Sequence, residues 1–199
     1  MRGFSDIPFR HIASIALAAS TPASAQNLIV NGDFESGNAA FTSHYDFGDD
    51  TVPEGTYCIA TDPVLCSPLA ADFHDHTTGH GNMMVVDGAV ERRVVVWKER
   101  VSVAPSTTYL LACWCASWGR NGNGDRDPSP ALLRFTVAGI KVGHFKPHAL
   151  DGAWRRFEFP WRSGPAQTSA TIVITDGNTA ATGNDFALDD LSFTPAQTP

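Results

Sequence analysis

The stretch Asn184 to Phe193, Asn-Asp-Phe-Ala-Leu-Asp-Asp-Leu-Ser-Phe, reads as a β-strand with an acid where a strand usually buries apolar groups. On a two-residue period Ala187, Asp189, Leu191 and Phe193 share one face, and Phe186, Leu188 and Asp190 the other. Leu191 and Phe193 mark the core side, so the Asp189 carboxylate is expected to point inward. A buried carboxylate is costly unless a cation or backbone donors meet it. Near the other end of the chain, Asn31-Gly-Asp-Phe-Glu35 follows the apolar run Leu28-Ile29-Val30 and offers a second acidic pair around an aromatic residue. The expectation is a bound metal, calcium, that Asp189 meets and that ties the two ends together.

The first residues have the parts of a secretory leader: Arg2 and Arg10, the apolar run Ile12 to Ala19, a break at Thr21-Pro22, and the small-residue site Ala23-Ser24-Ala25. This places a signal peptide at 1–25 and a single domain at 26–199. The apolar run is too short to span a bilayer, and no other run would anchor the chain. A formal charge of −7 argues against nucleic acid and anionic membrane as partners and suits cations and neutral ligands. Export makes the four cysteines candidates for disulfides. Cys58 and Cys66 flank a Pro-containing loop that a bridge would close, while Cys113 and Cys115 share a strand face as buried thiols; sequence alone does not separate the possible pairings.

Strand signals recur along the chain and helix signals are nearly absent. Strands are expected over Leu28–Val30 with Phe34, Asn82–Asp87, Arg92–Val103, Thr108–Trp118, Leu132–Val137, Lys141–Phe145, Trp154–Trp161, Ser169–Asp176 and Asn184–Phe193. Ala138-Gly139 joins two of them as a hairpin. Residues 36–80 read as long loops with short extended pieces. The spacing suits an all-β sandwich.

The two end motifs, Asn-Leu-Ile-Val-Asn-Gly-Asp-Phe-Glu (27–35) and Phe-Ala-Leu-Asp-Asp-Leu-Ser-Phe (186–193), resemble the ends of the galactose-binding-like jelly roll. That fold is shared by the CenC-like carbohydrate-binding modules of secreted bacterial proteins. Trp97-Lys-Glu-Arg-Val-Ser-Val, followed by Pro-Ser-Thr-Thr-Tyr-Leu-Leu-Ala, is similar to the middle of the same fold. The resemblance implies a structural calcium. Carried over by position, its ligands are the Asp33 carbonyl, the Glu35 and Asp189 side chains, and an oxygen from the loop before Asn82, with Asp75 the candidate. It also implies a polysaccharide or glycan ligand, bound by aromatic rings that stack on sugar faces. Trp114 and Trp118, roughly 13 Å apart on one strand face, head the candidates. Tyr45, Tyr57 and Trp97 follow, together with Arg120 beside Asn121 and Asn123. The alternative is that the large aromatics belong to the core.

Other clusters carry weaker chemistry. Phe73-His-Asp-His-Thr-Thr-Gly-His-Gly-Asn82 holds three histidines that a transition metal would need to gather; a glycine-rich surface loop, ordered through Asp75, is the plainer reading. Asn121-Gly-Asn-Gly-Asp-Arg-Asp127 spaces oxygen side chains at alternate positions but lacks the distal glutamate of an EF-hand. Neither Gly-x-Ser-x-Gly nor His-Glu-x-x-His occurs. The expectation is therefore a secreted, non-catalytic, calcium-stabilised carbohydrate-binding-like module. The alternatives are an adhesion or matrix protein that uses the same fold to bind protein, and a small hydrolase with two carboxylates converging in a pocket.

Overall fold

The computed structural model describes residues 26–119, 127–147 and 152–196. The leader expected over 1–25, and Arg120 with Asn121 and Asn123, lie outside the described residues. Ten strands form two sheets. The larger runs in the order β1 (Asp46–Phe47), β2 (Thr56–Ala60), β3 (Met83–Val86), β10 (Phe186–Pro195), β5 (Thr108–Ser117) and β8 (Arg155–Arg162). The smaller is β4 (Val95–Ser102), β9 (Ser169–Asp176), β6 (Leu133–Val137) and β7 (Ile140–Phe145). Only the short β1–β2 ladder is parallel among these pairings. The chain is an all-β sandwich of jelly-roll type. No helix of the described residues is long and apolar enough to cross a membrane.

Period-two alternation builds the core. Ala170, Ile172 and Ile174 of β9 and Leu133, Phe135 and Val137 of β6 point inward. They meet Tyr109, Leu111, Cys113 and Cys115 of β5 and Phe157 and Trp161 of β8 across the sandwich. The β6–β7 hairpin closes over Ala138 and Gly139, both at positive φ (50° and 78°), the combination a tight primed turn requires. The Cys58–Cys66 disulfide closes the loop after β2, and Cys113 and Cys115 are buried free thiols.

Two expectations are corrected. Residues 27–34 do not form a strand; the segment lies along β10 through Leu28 N–H to Phe193 O (3.0 Å) and the Asn27 side chain, whose amide bonds Leu191 O (3.0 Å) and Phe193 N–H (2.8 Å). Asp189, though fully buried, does not share a face with Leu191 and Phe193. Asp190 takes a left-handed conformation (φ 49°) and the register of β10 against β5 shifts between Asp189 and Ser192. This is a β-bulge, and one extra residue inverts the parity beyond it. Phe186, Leu188, Leu191 and Phe193 therefore all reach the main core, while Asp189 stands with Ala187 on the opposite face.

That opposite face is not left to water. A second apolar cluster of Met83, Val85, Ala187, Trp118, Ala70 and the disulfide covers part of it, with Phe73 and Trp154 at its margin. The chain between β2 and β3 supplies the cover, pinned by the Ala70–Gly119 bridge. Asp189 is buried beneath the end of this cover.

The N-terminal segment is held where Leu191 N–H donates to Gly32 O (2.8 Å), and a Cβ at Gly32 would collide with the Leu191 carbonyl oxygen. Gly32→Ala is expected to lower unfolding free energy by roughly 1–3 kcal/mol, the usual cost of overpacking. Urea unfolding of the two proteins measures it.

Candidate functional site

The outer face of β5, β8 and β10 is flanked by the N-terminal segment, and between them lies a cleft of about 350 Å³. Trp114 of β5, Arg156 of β8, Asp190 and Ser192 of β10, and Asn31 and Asp33 of the N-terminal segment line it. The register explains the grouping: Trp114 is paired with Asp189 on one side and with Arg156 on the other.

The rest of the chain prepares this cleft. The His76 ring stacks on Trp114 with centroids 3.6 Å apart and planes 18° off parallel, so one indole face is already taken. His76 is fixed in turn by Asp190, whose Oδ2 lies 2.6 Å from Nδ1, and Thr77 Oγ1 donates to Asp190 Oδ1 (2.7 Å). Trp154 meets the His76 ring edge-on at 6.1 Å. Asn31 is engaged in its own turn, accepting from Ser36 N–H and donating to the Gly37 and Ala39 carbonyls. Asp33 makes only a weak bond to Glu35 N–H (3.4 Å), and Arg156 pairs with Glu158 (2.7 Å) on the exposed surface. Asp33, Arg156 and the half-buried Trp114 are thus the groups best placed to meet a ligand.

Three acids organise the loop from residue 75 to 82. Asp189 Oδ2 accepts from the His76 and Thr77 amides (2.8 and 3.3 Å), and Oδ1 from Asp190 N–H (2.7 Å). Asp75, itself buried, accepts from Thr78 N–H and Gly81 N–H, each at 2.7 Å. Burial raises the Asp75 pKa, but these amides outweigh it and hold the carboxyl below its ordinary value. Glu35 Oε1 accepts from Asn82 N–H (2.8 Å). Glu35 and Asp75 converge over Gly81, where a Cβ would collide with Glu35, so the sequence leaves a cradle with oxygens on its rim. The donor set fits a hard cation, although among the described residues no three His, Cys, Asp or Glu side chains are arranged around one metal position. His74 and His80 face each other at 6.4 Å while His76 turns to Trp114, so the histidines do not gather.

The other aromatic candidates lie elsewhere. Trp118 is 3% exposed, and its indole N–H is within 3.0 Å of both Val86 O and Phe186 O. Tyr45 is buried with its hydroxyl accepting from Ala89 N–H, and burial raises its pKa strongly. Tyr57 is buried and donates to Asn38 Oδ1, and Trp97 is wholly enclosed. None of these four presents a ring to solvent, so none is a sugar platform; they are core. His76 and Asp190 are the site residues that alternation and motif reading did not supply, because their contact joins positions far apart in the chain.

No protein-family model matches this sequence, and no curated protein matches it either. Solved structures do. The carbohydrate-binding module TmCBM61, in complex with β-1,4-galactotriose, superposes with a TM-score of 0.56 at 11% identity, over 86% of this chain and 99% of that one. A Stig cyclase from Fischerella sp. TAU, in complex with an indole derivative, gives 0.58 at 11% identity over 88% and 100%. The enzymatically active domain of tailspike protein 4 of bacteriophage CBA120 gives 0.53 at 12% identity, over 85% of this chain and 21% of that one. At these identities the likeness is one of fold, a β-sandwich that a carbohydrate-binding module shares with enzymes.

Burial pushes the Asp189 carboxyl up to about 7, its amide partners oppose this, and the neighbouring Asp190 charge adds to it. With the folded value above the unfolded one near 4, the folded state holds a proton the unfolded chain has lost between those limits. Stability from this group is full below about pH 4 and falls as pH rises to about 7. In chelator-treated protein the wild type should lose stability relative to Asp189→Asn across that window, measured by thermal unfolding at stepped pH.

Proposed function

We propose that this chain is a secreted carbohydrate-binding module that holds a glycan in the cleft between the N-terminal segment and the outer face of β5, β8 and β10. One observation carries the reading: a half-buried tryptophan, Trp114, lines a cleft whose other walls are carboxylate, guanidinium and amide groups. Such a pairing of flat apolar surface with hydrogen-bonding rims suits a pyranose, which has an apolar face and a ring of hydroxyls. His76 backs one indole face and leaves the other for the sugar. The disulfide suits an exported protein. The jelly-roll fold it shares with TmCBM61 supports the class of ligand.

The same reading includes a structural calcium held by Glu35 and Asp75 over Gly81, with Asp189 and the Asp33 carbonyl as the further ligands that the end motifs imply. Calcium there would lock the loop that carries His76 and so stiffen the back wall of the cleft. A second reading, a small glycan-cleaving enzyme, draws on the fact that Asp33 and Asp190 line one cleft.

Isothermal titration against a panel of soluble glucans, xylans and galactans is expected to find a binder. Trp114→Ala should weaken it at least tenfold, and Trp118→Phe should leave it unchanged. No binding by the wild type, or full binding by Trp114→Ala, rejects the proposal. Reducing-sugar release that disappears in Asp33→Asn and Asp190→Asn would move the assignment to the enzyme. Calcium should raise the thermal midpoint of chelator-treated protein by several degrees, and Glu35→Gln should remove much of that rise.

A further inference from the structure

The smaller sheet gathers arginines at one end. Val95 of β4 and Arg134 of β6 both pair with Thr175 of β9, one from each side. Arg92 and Arg93, which lead into β4, therefore arrive on one flank of β9, and Arg134 lies on the other. Together with Gly177, just past the end of β9, the three arginines line a cavity of about 300 Å³. Adjacent residues of an extended chain point to opposite sides. Arg93 instead takes a left-handed conformation (φ 65°), uncommon for a residue other than glycine, and both arginines reach the same cavity. Gly177 makes room for the third, since a Cβ there would stand 2.8 Å from Arg134 Nε. The ion pairs among the described residues are His76–Asp190 and Arg156–Glu158, so none of the three guanidiniums meets a carboxylate there. Like charges around one cavity repel, and an anion between them turns that repulsion into attraction. The guanidinium fork presents paired N–H donors that match the oxygens of a carboxylate or a sulfate.

Arg134 belongs also to the outer face of the smaller sheet, where its neighbour on β7 is His144. On that face Lys98 and Arg100 of β4 lie opposite Val173 and Thr171 of β9, and Lys141 of β7 lies opposite Thr136 of β6. No Asp or Glu holds an outer position on these four strands. Glu99 is 9% exposed and accepts from Val30 N–H, and Asp176 is buried. The whole chain carries 21 Asp and Glu against 14 Lys and Arg, so this face runs against the sign of the molecule. Thr171 stands roughly 13 Å along β9 from Thr175. There Lys98, Arg100, Thr171 and Phe41 line a second cavity, of about 660 Å³.

We propose that Arg92, Arg93 and Arg134 bind an oxyanion, the carboxylate or sulfate of an acidic saccharide whose chain continues along β9 toward Lys98 and Arg100. A free inorganic ion would use the arginine cavity alone. The acid-free track that leads from it suits a ligand with charges at intervals. The site lies on the other sheet from Trp114 and does not depend on the cleft there.

Isothermal titration of the full-length protein at low ionic strength tests this with four probes: a galacturonate hexasaccharide, a sulfated galactan oligosaccharide, inorganic sulfate and oligothymidylate. One of the two acidic saccharides is expected to bind at least tenfold more tightly than inorganic sulfate, and which one does so identifies the anion. Arg134→Gln, and Arg93→Gly, which keeps the left-handed backbone, should each weaken that binding at least fivefold. Arg134→Lys keeps the charge, loses the fork and should weaken it too. Arg162→Gln removes the same charge from β8 and should leave it unchanged. Circular dichroism confirms the fold of each variant. The proposal is overturned if neither saccharide binds, if inorganic sulfate or oligothymidylate binds as tightly, or if binding survives in both Arg134→Gln and Arg93→Gly. Binding that survives in those two and is lost in Arg156→Gln would assign the anion to the Trp114 cleft instead.

Discussion

A left-handed residue in the middle of the last strand, Asp190, decides how this molecule is built around its cleft. Without that bulge the carboxylate of Asp189 would enter the main core among Leu191 and Phe193, where it would meet no donors. With it, the carboxylate moves to the other face and meets two amides of the loop after residue 75. The same bulge turns the Asp190 side chain toward His76 and Thr77. Two adjacent acids thus hold one loop by its backbone and its side chains together. The indole of Trp114 lies beside them because β5 pairs with β10 at that point.

The arrangement explains how a sandwich that needs only two apolar inner faces comes to bury part of a third. The cover between β2 and β3 closes over Met83, Val85 and Trp118, and the disulfide shortens the loop from which it springs. The cover stops at His76, and beyond it the outer face stays open as the cleft. Polar side chains at the boundary belong to two classes. Asn27, Asn31, Asp75 and Asp189 are occupied in holding backbone, whereas Asp33 and Arg156 keep capacity for a ligand.

Much of the architecture is legible in the sequence because strands with one buried face write their period into it. β9 matches its expected span, and the Ala138-Gly139 turn, the Cys58–Cys66 loop and the burial of Asp189 were all visible as local patterns. The orientation of Asp189 was not, since nothing at Asp190 announces a left-handed residue in place of the usual Gly or Asn. Parity through the end of β5 puts Trp118 on the face of Trp114, and it does pack on that side; that the chain between β2 and β3 covers it there, leaving Trp114 half-buried, is a long-range contact that parity does not carry. Tyr45 and Tyr57 sit in a stretch without periodicity, so their burial depends on long-range packing that no local rule encodes. The stack of His76 on Trp114 is of the same kind.

Hydrogen exchange at the His76 and Thr77 amides, followed by NMR, tests most directly whether Asp189 governs the loop behind the cleft. Both amides should exchange slowly in the wild type, and they should exchange orders of magnitude faster in Asp189→Ala while the amides of β9 keep their protection. Fast exchange of His76 and Thr77 in the wild type, or protection that survives the loss of Asp189, would contradict the account.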